Sequence, residues 1–169
     1  MARWAVVLIL VTLAEPTRLE TRIDEGACSS PVHREFDFWL GNWDVFDRNS
    51  PTKSATVRVT KELDGCVLRE EYDGLDGLRG TSLSSYDGTA LEWQQTWVTN
   101  RAQLLVVHGH RDGDALVFTG WLREKNGEVS VRARWTPEPA GVRETAERST
   151  DGGHSWRPWF DLSFRPASR

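Results

Sequence analysis

The chain has 169 residues, the length of one domain once a leader is set aside. Its formal net charge of −4 comes from interspersed charges with no basic arm, which argues against a phosphate-binding surface and hence against nucleic acid as a partner. Nine Trp, six Phe and two Tyr supply large side chains for a single core.

Residues 1–14 read as a signal peptide. Arg3 gives the positive start, an apolar run follows, and Thr12 and Ala14 are small residues placed for cleavage. That run is too short to span a bilayer, so no stable membrane insertion is expected. A non-cleaved anchor is the alternative. Residues 15–27 are polar and read as a flexible tether. Glu25 before Cys28 is wrong for a lipoprotein signal. The protein is therefore expected to be exported, to the periplasm or the extracellular space, with its domain at 28–169. Cys28 and Cys66 are the sole cysteines, and an even count after an export signal suggests one disulfide. Two buried thiols are the competing reading.

From residue 33 to 40 the pattern is that of a short helical turn, and no other helical stretch of useful length follows. Strands are read at 42–48, 54–63, 66–73, 78–86, 91–99, 103–111, 115–124, 129–136, 142–149 and 156–165. Asp73-Gly74, Asp76-Gly77, Asp87-Gly88, Asp112-Gly113, Asn126-Gly127 and Asp151-Gly152 supply the positive φ angles of tight turns between them. About ten strands joined by short turns predict an all-β, antiparallel, up-and-down barrel, because closure removes exposed edges. Val57, Val59 and Leu63, then Leu91, Trp93, Gln95 and Trp97, then Val129, Val131, Ala133 and Trp135, alternate with polar neighbours and mark an inner face. Glu70 and Gln95 fall on that face too. Around His108 and Glu144 the alternation is too weak to choose a side.

Gly41-Asn42-Trp43 resembles the Gly-x-Trp signature of lipocalins and their calycin relatives. The longer run Phe36-Asp37-Phe38-Trp39-Leu40-Gly41-x-Trp43 resembles, more specifically, a family of exported bacterial lipocalin-like domains of unknown function. Gly65-Cys66-x-Leu68-x-Glu70, Gln95-Thr96-Trp97-Val98 and residues 149–156 extend the likeness over about residues 28–165. It departs at Ala146, where an aromatic is common, and at Tyr72, where tryptophan is. The resemblance implies a calycin-like barrel outside the cytoplasm and brings no catalytic residues. It also implies a plug in which Trp39, Gly41 and Trp43 close one end of the barrel and Arg165, or in second place Arg157, packs over the tryptophan.

Ser149-x-Asp151-x-Gly153-x-Ser155-Trp156 resembles an Asp-box, in which the carboxylate accepts backbone N–H bonds, the glycines permit positive φ and the tryptophan packs below the hairpin. It is read as a structural turn built on Ser149, Asp151, Gly153 and Trp156. His108 and His110, two apart on one strand, share a face and are weak candidates for a metal, with His154, Asp112 or Glu70 as a third ligand. No cofactor is called for, and zinc or haem at these histidines stays open.

The candidate lining of a cavity is Glu70, Tyr72, Trp93, Gln95, Trp97, His108, Trp121, Trp135 and Glu144. An aromatic wall with a few inward polar groups suits a small amphipathic or apolar ligand, so binding without catalysis is the leading expectation, in a monomer or homodimer. One alternative is an enzyme using Glu70 and Glu144 across the barrel, or a histidine-bound metal or haem. Another is a carbohydrate-binding or adhesion module using tryptophans near the Asp-box turn.

Overall fold

A computed structural model describes residues 26 and 28–168. The expected signal peptide, and all of the tether except Gly26, lie outside the described residues. Ten strands follow one another: β1 (Gly41–Asp47), β2 (Lys53–Glu62), β3 (Val67–Gly74), β4 (Arg79–Asp87), β5 (Glu92–Thr99), β6 (Leu104–Asp112), β7 (Ala115–Glu124), β8 (Gly127–Glu138), β9 (Gly141–Ser149) and β10 (Arg157–Pro166). Each pairs antiparallel with the next, and β1 pairs with β10, which closes the barrel. The all-β up-and-down barrel expected from alternation and turn residues is the observed fold. No helix among the described residues is long and apolar enough to cross a membrane.

The helical stretch expected at 33–40 resolves into two 3-10 turns, Pro31–Arg34 and Asp37–Trp39. They carry Phe36 and Trp39 into one end of the barrel, where exposures of 0% and 1% show complete enclosure. Phe36 stacks on Trp39 at 5.0 Å, meets Trp93 and Trp135 edge to face, and lies tilted against Phe118, all within 6 Å. Aromatic pairs in such offset and edge arrangements gain beyond their buried area. Outside the plug, the Lys61 ammonium donates to the His33 carbonyl at 3.1 Å and to the Asp37 carboxylate, tying the turns to β2.

The Gly-x-Trp motif has a local cause. Gly41 adopts a φ of +141°, and the Trp43 indole lies over it, 3.4 Å from where a Cβ would stand. A side chain there would meet both a disfavoured backbone conformation and the ring. Trp43 Nε1 then donates to the Trp39 carbonyl at 3.0 Å, locking the strand to the plug.

Cys28 and Cys66, 38 positions apart in sequence, form a disulfide that joins the segment before the plug to the start of β3. Because the bond restricts the unfolded chain, a Cys28→Ser, Cys66→Ser variant is expected to lose roughly 3–4 kcal/mol in urea unfolding. An unchanged midpoint would show that the plug docks without help from the bridge.

Candidate functional site

Inward positions of the barrel form two halves. At the plug end, Phe36, Trp39, Trp93, Phe118 and Phe164 are sealed from solvent. Toward the other end, Tyr72, Trp97, Leu105, Leu122, Phe160 and Leu162 point inward by alternation yet stay half-buried. Their registers agree: Trp97 stands opposite Leu105, Leu105 opposite Leu122, and Tyr72 opposite Gly80. The interior is therefore dry at the plug, and at the far end water reaches these larger side chains, while Ala55, Val57 and Val129 beside them remain sealed. Gly80 makes room there, since a Cβ on it would sit 2.3 Å from the Trp97 ring. Tyr72 and Trp97 meet edge to face at 5.9 Å.

Glu70 lies between these halves at 7% exposure. Leu68 on the same face is buried, so alternation carries the carboxylate inward, and its partner across β3–β4 is Ser82. Ser82 Oγ donates to Glu70 Oε2 at 2.8 Å. Burial pushes the Glu70 carboxyl up from 4.5 to about 7, and the Ser82 bond offsets only part of that. A parallel pair lies beside it, where Gln95 Nε2 donates to Ser84 Oγ at 3.0 Å. Ser82 and Ser84 escape a sequence reading because Gly80-Ser82-Ser84 looks like a solvated face. The register that sets them against Glu70 and Gln95 makes them interior.

Glu144 completes the arrangement. It shares its face with buried Val142 and Ala146, and stands opposite Trp135 on β8 and Leu162 on β10. Its remaining accessible surface therefore faces the interior. Burial, and then the charge on Glu70, raise its carboxyl well above the ordinary range. No hydrogen bond or ion pair from the described residues reaches it. The Tyr72 hydroxyl is raised as well, by burial and by Asp76, Glu70, Glu144 and Asp47 in that order. The barrel thus unites Glu70, Glu144 and Tyr72, and Tyr72 in turn touches Trp97. Trp135, at 4% exposure, belongs to the plug cluster, and its Nε1 has no acceptor among the described residues.

Three expectations need correction. His108 and Trp121 lie on the outer wall, not in the cavity. Val107 and Gly109 take the inward positions of β6, and His108 pairs with Glu92 at 2.9 Å on the outside. Trp121 is 50% exposed because Gly120 holds the inward position beside it, where a Cβ would stand 2.3 Å from the Val106 carbonyl. His108 and His110 do share a face, but the wall separates them from Glu70. Among the described residues no group of three or more His, Cys, Asp or Glu is placed to hold a metal ion.

The third correction concerns Arg165. Phe164 points inward, so its neighbour points out, and the guanidinium lies 4.2 Å from the Phe46 ring on the outer wall rather than over Trp43. The register explains the contact: Arg165 pairs with Asp44, which makes Phe46 its diagonal neighbour on the same face.

The Asp-box residues form a closed local network. Asp151 accepts from the Ser149 hydroxyl at 2.6 Å, and from the Ser155 amide at 2.9 Å and hydroxyl at 2.6 Å, while the Gly153 amide donates to Ser149 Oγ. These bonds hold its carboxyl well below the usual range. Trp156 donates to the Gly153 carbonyl, with Arg132 over its ring at 4.3 Å. The carboxylate is saturated from within the turn. Two shallow grooves also mark the outer wall, one beside Arg48 and Glu138, the other beside Arg58 and Glu71, and neither reaches the interior carboxylates. No protein-family model matches the chain, and no curated protein matches it in sequence.

Proposed function

We propose that this barrel binds a small amphipathic molecule in its open half, with the aromatic plug as the floor and Glu70 and Glu144 as the polar anchor. One observation carries the reading: toward the end opposite the plug the large inward side chains Tyr72, Trp97, Leu105, Leu122, Phe160 and Leu162 stay half-buried, although the smaller Ala55, Val57 and Val129 beside them are sealed, and two carboxyls lie between these side chains and the plug. A folded core gains by burying apolar surface completely, at about 25 cal/mol per Å². Inward Trp97, Phe160 and Leu162 that stay reachable by water therefore favour an occupant that covers them. The run at 36–43, with its resemblance to exported lipocalin-like domains, supports the same reading, as does a disulfide suited to an oxidising compartment outside the cytoplasm.

Titration with phenylnaphthylamine tests it. The probe's emission is expected to rise on binding and the protein's tryptophan emission to fall, with octan-1-ol displacing it. Trp97→Ala is expected to weaken probe binding about tenfold, or ~1.4 kcal/mol, through loss of one aromatic wall. A probe that gives no response at saturating concentration would sink the binding reading.

The raised carboxyls give a second reading, proton transfer by Glu70 and Glu144 on a molecule held in the same cavity. Perturbed acids gather at functional sites because catalysis needs them near neutral pH. Turnover of a bound compound, abolished by Glu70→Gln with the compound still bound, would favour it over simple binding.

A further inference from the structure

We propose, resting on the binding reading above, that the ligand is a protonated organic amine, received by Glu70 and Glu144 with its apolar part against Tyr72 and Trp97. The interior offers acceptors without a counter-cation. Ser82 donates to one oxygen of Glu70, and no bond from the described residues reaches its other oxygen or either oxygen of Glu144. The arginines and lysines engaged in ion pairs meet carboxylates elsewhere: Arg58 with Glu71, Arg143 with Asp161, Arg132 with Glu147, Arg134 with Asp112. At the rim Arg101 pairs with Asp76 and Arg148 approaches Glu124. Arginines neutralise these outer acids, and no ion pair from the described residues reaches the two inner ones.

A separate observation points the same way. The edge-to-face pair of Tyr72 and Trp97 borders the carboxylates, and aromatic faces attract ammonium groups while covering their alkyl chains. Asp47 also acts on the Tyr72 hydroxyl and has no ion-pair partner among the described residues, which adds to the pull on a cation, while Asp76 is held by Arg101. A divalent metal fits less well. Among the described residues no group of three or more His, Cys, Asp or Glu is placed to hold one, and this half of the barrel offers two carboxylates alone.

The test compares three probes of one chain length, octylammonium, octan-1-ol and octanoate, by calorimetric titration of the disulfide-bonded chain. Near pH 8.5 octylammonium is expected to bind at least about tenfold more tightly than the alcohol, with octanoate weakest. Protons are expected to leave the protein as the amine binds, because a cation between the carboxyls favours their ionised forms. Near pH 5, where Glu70 and Glu144 hold their protons, the preference is expected to disappear. In the Glu70→Gln, Glu144→Gln variant, amine and alcohol are expected to bind within about twofold of each other near pH 8.5. Amine and alcohol binding alike to the unaltered chain would overturn the amine inference and leave the binding reading standing. Tightest binding of octanoate, or a response to calcium chloride with none to octylammonium, would overturn the inference as well. Silence from every probe would remove the binding reading, and the inference with it.

Discussion

Glu70→Gln is expected to make the barrel more stable near pH 8, by roughly 3 kcal/mol, and to flatten its stability on the alkaline side. Burial lifts the folded-state value from 4.5 to about 7. Between those values the unfolded chain has released a proton that the folded chain retains. Stability from this group is therefore fully present below about pH 4.5, falls as pH rises through the window, and stops falling above about 7. Glutamine keeps an oxygen for Ser82 and has no proton to lose. Glu144 is raised in the same direction, by burial and then by the charge on Glu70, and adds to the decline. On the acid side the sign reverses. Glu71, Asp112 and Asp161 are held low by arginine partners, so their contribution is present above the ordinary carboxylate range and lost as pH falls through their lowered values. Stability should peak near pH 5. Urea unfolding near pH 5 and near pH 8 checks this, and a wild-type chain equally stable at both would refute the buried-acid account.

Phe36→Ala is expected to cost about 3–5 kcal/mol, the largest loss from any single plug position. The side chain is fully enclosed, and five rings, those of Phe38, Trp39, Trp93, Phe118 and Trp135, lie within 6 Å of it. Their positions are set by backbone on four different elements, so they can collapse only partly into the space left behind. Near-ultraviolet circular dichroism should weaken along with stability, since these rings lose their fixed neighbours. A loss under about 1 kcal/mol would mean that the closed strands stand without the plug, and that the 3-10 turns dock as an accessory.

Legibility varied with the physics of each element. The strands have a period of two and most end near Gly or Asp turn residues, both local signals, so the ten strands could be read to within a residue or two. Sides were legible where one face is apolar and the other charged, as in β8, where Val129, Val131, Ala133 and Trp135 alternate with Ser130, Arg132 and Arg134. On β6 both faces carry aliphatic residues, Leu105 and Val107 against Leu104 and Val106, so the side of His108 could not be chosen from the strand alone. Trp121 misled for a related reason. Bulk suggests an interior, but bulk cannot point inward where two strands approach closely enough to require Gly120. Arg165 took its expected role from a resemblance, and the β1–β10 register put it on the other face.

The amino-acid sequence by itself determined that this chain is an all-β barrel with an aromatic plug at one end and a turn stabilised by Asp151, because those features rest on period, turn chemistry and short-range hydrogen bonds. The pairing of Cys28 with Cys66 was nearly determined as well, there being no third cysteine. Only the tertiary structure decided that Glu70 and Glu144, on strands far apart in the chain, share one interior, and that Ser82 rather than a cation meets the first of them. Barrel closure sets that proximity. It depends on the register of every ladder between β3 and β9, and no local stretch of sequence encodes the sum.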